Sequence, residues 1–189
     1  MFVLTVAPLD LGAHHRVNYM GRVCRKFATT GGRTQVPVMY PARLDSDGTG
    51  SIAAGADNLD QAIRDTPGDK IVLGYSQGAQ VVGAWLRKYA YSAGSPDNRD
   101  LQFLLIGNPE RRFGKQPWTK RITLDNTKYT VRDVSRRGDK WANFQGKPTD
   151  NRILAMFGGT HTNYWDTDPY DPAAEVINTV GRTTYVLVP

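Results

Sequence analysis

The chain has 189 residues, 40% of them hydrophobic and 22% charged, a balance that excludes extensive disorder and allows one domain with a sizeable core. No apolar run approaches the roughly 20 residues of a membrane span, and the single cysteine excludes an internal disulfide. The net charge of +6 is uneven: between residues 111 and 152, twelve Lys or Arg stand against four Asp.

Phe2–Val6 (FVLTV) is a predicted strand ending at Ala7-Pro8. It is too short, and its start too poor in charge, for a signal peptide. No secretory address is therefore expected, and action outside the producing cell would need another route. Residues 17–28 predict a helix, with Cys24 packed beside Val17, Met20 and Phe27 and closed by the breaker at 29–32. Residues 34–40 predict a strand that Pro37 places at a sheet edge. In the next loop Asp45, Ser46, Asp47, Gly48 and Gly50 loosely resemble a calcium site. The acidic twelfth position and the flanking helices are missing, so no metal is expected.

Residues 53–66 predict a helix stopped by Pro67-Gly68, and Lys70–Tyr75 a buried strand. Beyond it Ala79, Val82, Trp85, Leu86 and Tyr89 recur at helical spacing. This alternation predicts an α/β fold, a mostly parallel sheet with helices on both faces. Leu101–Ile106 is a further strand, ending at Gly107-Asn108-Pro109. Residues 122–134 predict two short strands around a turn at Asp125, residues 153–157 a short apolar element, 173–180 a helix, and Thr183–Val188 the last strand. No repeat or linker interrupts residues 1–189, which are expected to form a single domain.

The sequence Gly74-Tyr75-Ser76-Gln77-Gly78 matches G-x-S-x-G at the junction of strand and helix, where a nucleophile elbow requires it. Ser76 is the candidate nucleophile. The Gln77 backbone N–H, at the positive end of the new helix, is one candidate oxyanion donor. The loop after the first strand supplies the second. Pro8 has no N–H, which leaves Ala7 or a residue from Leu9 onward. A serine needs a base oriented by a carboxylate, in the chain order Ser, acid, His. His14 and His15 precede Ser76 and could at most line the cleft mouth, so His161 is the candidate base. The candidate acid is Asp139, in a turn just past a strand, with Asp133 within that strand and Asp125 before it as alternatives. Neither a metal nor an organic cofactor is required.

With GYSQGA, GNPERR, RRGDKWA and GTHTNYW in this order, the chain resembles the cutinase-type α/β-hydrolases. The pattern is most similar to the PE-PPE C-terminal serine-hydrolase domains of mycobacteria and the lysin B esterases of mycobacteriophages. The resemblance implies hydrolysis of a carboxylic ester, lipidic or mycolate-like, through an acyl-serine. Ser76 would be the nucleophile, His161 the base and then the acid, and Asp139 its orienter. It also suggests a phage product or a detached domain, acting in a virion or at the cell envelope. Three departures stand out. Thr5-Val6-Ala7-Pro8 replaces the glycine-threonine signature after the first strand, the cutinase disulfides are absent, and only 21 residues separate Asp139 from His161, without the lysin B insertion.

Two other functions fit the sequence. One is a binding or decoration protein on the same fold. Its basic 111–152 segment, with Trp118, Trp141 and Phe144, would meet an anionic envelope surface. No nucleic-acid module accompanies that segment, so nucleic acid is not an expected partner. The other is a peptidase or thioesterase using the same catalytic residues.

Overall fold

Among the described residues seven strands form one sheet: β1 (Phe2–Val6), β2 (Thr34–Val38), β3 (Lys70–Tyr75), β4 (Leu101–Ile106), β5 (Thr130–Arg136), β6 (Glu175–Val180) and β7 (Thr183–Val188). With them pack the helices α1 (Arg16–Lys26), α2 (Gly50–Asp65), α3 (Gln77–Tyr89) and α4 (Arg152–Phe157). The computed structural model describes residues 1–10, 16–44, 50–114, 119–143, 151–157 and 159–189. His14, His15, Trp118, Phe144 and residues 45–49 of the calcium-like loop lie outside them.

The strand order is β2-β1-β3-β4-β5-β7-β6. Every neighbouring pair is parallel except β6 with β7. Strand alternation sorts the core into two layers. Leu4, Val6, Val72, Phe103, Leu105 and Val131 face α2 and α3, while Val3, Ile71, Leu73, Leu104, Ile106 and Val134 face Met20 and Val23 of α1. The expected α/β architecture is what forms, with Pro37 on the edge strand β2 as its missing N–H predicts. Because β2 and β3 lie on opposite sides of β1, the sheet has its switch point between β1 and β3. In such sheets the ligand crevice opens at the carboxyl ends of those strands. Ala7 and Ser76 are the residues that leave them. Among the described residues no helix is long and apolar enough to cross a membrane.

Three local expectations are corrected. The helix predicted over 17–28 breaks at Val23 (ψ 146°), and Cys24, Arg25 and Lys26 take left-handed φ values of 53°, 52° and 61°. Tertiary hydrogen bonds override the helical pattern there: Cys24 N donates to the Tyr164 carbonyl (2.9 Å) and Arg25 N to the Trp165 carbonyl (2.6 Å). Residues 173–180 hold no helix. Glu175–Val180 is strand β6, joined to β7 by the two-residue Gly181–Arg182 turn. Its Val176, Ile177, Thr179 and Val180 are β-branched, and the strand lies on the exposed edge, where no helical stripe would find a core. Of the two strands predicted over 122–134, only the second forms, as β5. Residues 119–125 are irregular, and their Thr123 and Asp125 instead supply polar partners to the segment after β4.

Candidate active site

The elbow follows from close approach. Ser76 sits at φ 54° and ψ −115° between β3 and α3, a strained conformation that the surrounding packing must hold. A Cβ on Gly74 would lie 2.8 Å from the Gly78 carbonyl oxygen. One on Gly78 would overlap the Val6 carbonyl oxygen and approach that of Ala7 to 2.7 Å. The first turn of α3 therefore rests directly on the end of β1. Gly78→Ala is expected to lower stability by about 3 kcal/mol or more, measurable by thermal unfolding. An unchanged Tm would contradict this packing.

The structure brings together all three predicted catalytic side chains. Ser76 Oγ is 2.9 Å from His161 Nε2, and His161 Nδ1 is 3.0 and 3.1 Å from the two oxygens of Asp139. His161 and Asp139 are both buried. Asp139 Oδ1 accepts the backbone N–H groups of Trp141 (2.8 Å) and Ala142 (2.9 Å). Burial pushes the Asp139 carboxyl up, but the His161 charge and the hydrogen bonds from His161, Tyr164 and Ala142 outweigh it and hold the group below the usual carboxylate range. The turn that carries Asp139 is crossed by the His161 loop, where Thr160 N donates to the Gly138 carbonyl (3.2 Å). Gly107, at φ 54°, completes the floor. A Cβ there would lie 3.2–3.3 Å from Tyr164, Asp139 and His161.

The alternative acids are engaged elsewhere. Fully buried Asp133 pairs with Arg111 at 3.4 Å and accepts Asn108 Nδ2 at 2.7 Å. Its burial raises its pKa, against the pull of Arg111. Asp125 binds Arg112 and the Tyr185 hydroxyl. The GNPERR stretch is thus largely a scaffold, with Glu110 also bound to Arg87 (2.7 Å).

Gln77 is the first residue of α3, so its N–H has no acceptor within the helix and stands at the positive helix end. Ala7 is buried at the mouth of β1. Tyr40, which no sequence signal marked, ties these two oxyanion candidates together. Its hydroxyl oxygen lies 2.6 Å from the Ala7 carbonyl oxygen and 3.2 Å from Gln77 Oε1. Two further tyrosines brace the base and the acid. Tyr75 donates to the His161 carbonyl, and Tyr164 to Asp139 Oδ2 at 2.6 Å. Ser76 and His161 open into a cavity of about 270 Å³ whose walls are mainly Leu9, Tyr19, Met156, Phe157 and Trp165. Cys24 is buried, and burial pushes its thiol far up, so it is a core residue and not a nucleophile. Among the described residues no cluster of His, Cys, Asp or Glu could hold a metal ion.

The sequence pattern of the PE-PPE domain matches residues 33–189. The chain belongs to the PE-PPE domain family. It is 30% identical over 165 residues to Esterase PE16 of Mycobacterium tuberculosis, covering 74% of this chain and 31% of that protein. It is also 30% identical over 184 residues to the uncharacterized PPE family protein PPE28 of the same species, covering 86% and 28%. This PE-PPE domain therefore spans about a third of the length of these relatives. Among solved structures, lysin B from mycobacteriophage D29 superposes with a TM-score of 0.53 at 22% identity, over 82% of this chain and 71% of that one. A cutinase-like protein from Cryptococcus sp. gives 0.50 at 17% identity, over 87% and 90%. At these identities the likeness is one of fold, and the fold is that of the cutinase-like α/β-hydrolases.

Proposed function

We propose that this PE-PPE domain is a serine carboxylic-ester hydrolase acting on a lipid ester, of the mycolate-like class found in mycobacterial envelopes. The observation that carries the proposal is the unbroken chain from Ser76 Oγ through His161 to Asp139, at 2.9 and 3.0 Å, opening on an apolar cavity. His161 Nε2 removes the Ser76 proton as Oγ attacks the ester carbonyl, and Asp139 holds the ring with Nδ1 protonated. The oxyanion develops against the Gln77 N–H at the head of α3. His161 then returns its proton to the departing alcohol, leaving an acyl-serine that water cleaves by the same route. No step calls on a cofactor. The esterase name of the relative PE16 supports the reaction class, and the aromatic and aliphatic cavity wall supports a lipidic acyl group.

Five of the described basic residues of 111–152 already have partners within the chain, which weighs against the envelope-binding alternative. Arg111 and Arg112 pair with Asp133 and Asp125, Arg137 with Glu175, and Arg132 and Arg136 donate to backbone carbonyls. The test is a panel of p-nitrophenyl acyl esters of increasing chain length beside acyl thioesters and peptide p-nitroanilides. Turnover is expected on the oxygen esters, with negligible anilide cleavage. Folded protein no faster than buffer on every ester would overturn the proposal.

A further inference from the structure

We infer that Tyr164 is a fourth member of the catalytic relay, a positioning residue whose hydroxyl acts on Ser76 chemistry through Asp139. The inference rests on the catalytic assignment proposed above. Tyr164 is fully buried, and its ring packs edge-on against Tyr75 with centroids 5.4 Å apart. The Ser135 side chain faces its hydroxyl, which also makes contacts of opposite sense. It accepts the backbone N–H of Arg136 at 2.9 Å and lies 2.6 Å from Asp139 Oδ2. A phenol has one proton. With Arg136 N–H supplying the accepted bond, that proton is directed to the carboxylate.

The consequence is a fixed acceptor for the imidazole. Oδ1 is held by the amides of Trp141 and Ala142, and Oδ2 by Tyr164, so both oxygens are tied down before His161 is counted. A carboxylate fixed at both oxygens cannot rotate away when the imidazolium forms. Tyr164 also anchors the loop that carries the base, because its carbonyl accepts Cys24 N from the left-handed turn at 24–26. The ionisable groups that face Asp139 are His161, Tyr164 and, from β3, Tyr75. Burial, reinforced by the neighbouring Asp139, keeps the Tyr164 phenol far above its ordinary range. The donor therefore persists through alkaline pH.

Tyr164→Phe keeps the ring and removes only the hydroxyl. Loss of the donor disfavours the Asp139 anion, so the Asp139–His161 couple takes up its proton at higher pH. The expected result is a kcat lower by about 10- to 100-fold with KM little changed, the worth of a hydrogen bond to a charged group. The acidic limb of kcat/KM should move upward by about one pH unit. In an Asp139→Asn background the same change should cost less than about threefold. Should Tyr164→Phe fail to fold, 3-fluorotyrosine at position 164 offers a stronger donor of nearly the same shape and should shift the limb downward. In parallel, the hydrogen-bonded His161 Nδ1 proton is followed by NMR against pH. Its titration should move with the limb in either variant, and it decides the matter even if the wild type turns over no ester. An unmoved titration, or an equal loss with and without the Asp139 carboxylate, would overturn the role. A wild type without turnover would instead overturn the hydrolase assignment.

Discussion

Ser76→Ala is expected to lower kcat/KM on p-nitrophenyl esters by about 10⁴- to 10⁶-fold while leaving the thermal unfolding midpoint nearly unchanged. His161→Ala should fall in the same range, and the double variant little further, because the two residues act as one unit. The chemistry needs a nucleophile and a base in contact, and Ser76 Oγ and His161 Nε2 meet at the cavity, 2.9 Å apart. Stability should survive the serine change because Ser76 Oγ opens into the cavity instead of the core. Steady-state kinetics beside circular dichroism separates the two effects. A Ser76→Ala protein that retains more than about a few percent of activity would require a different nucleophile.

The second large effect separates two aspartates six positions apart in the chain. Asp139→Asn should cut kcat by about 10⁴-fold, because an amide no longer selects the imidazole tautomer with its proton on Nδ1. Asp133→Asn should act on stability instead. It takes from the fully buried Arg111 guanidinium the carboxylate it pairs with among the described residues. Breaking such a pair costs about 3–5 kcal/mol. Chemical denaturation and kcat measured on both variants should therefore show opposite patterns. A catalytic loss in folded Asp133→Asn equal to that of Asp139→Asn would mean the acid has been misassigned.

Much of this was legible in the residues. Continuous apolar runs such as Ile71-Val72-Leu73 and Phe103-Leu104-Leu105 need burial on both faces, and a parallel sheet covered by helices is where that happens. The elbow was legible because only glycine at positions 74 and 78 lets α3 rest on β1 around Ser76. Chain order then selected His161 and pointed to the turn of Asp139. What was not legible depended on partners distant in sequence. The turn at Cys24–Lys26 breaks a good helical pattern because the carbonyls of Tyr164 and Trp165 accept its amides. The segment 175–180 becomes a strand because β7 offers it an edge. Asp133 lies within β5 and Asp139 just beyond it; the turn position favoured Asp139, and the placement of Arg111 against Asp133 and of His161 against Asp139 separates their roles. Tyr40 lies in no motif, and Tyr164 sits in GTHTNYW without a role that the motif names. Their hydroxyls gain meaning from the Ala7 carbonyl and the Asp139 carboxylate beside them.

The most direct test is covalent trapping at the serine. The protein is incubated with an alkyl fluorophosphonate, and the intact mass and modified peptide are read by mass spectrometry, beside Ser76→Ala and His161→Ala. One adduct on the peptide containing Ser76, absent from the Ser76→Ala variant and formed far more slowly without His161, is the predicted result. A folded wild-type protein that gains no adduct, or gains one at another residue, would contradict catalysis by Ser76.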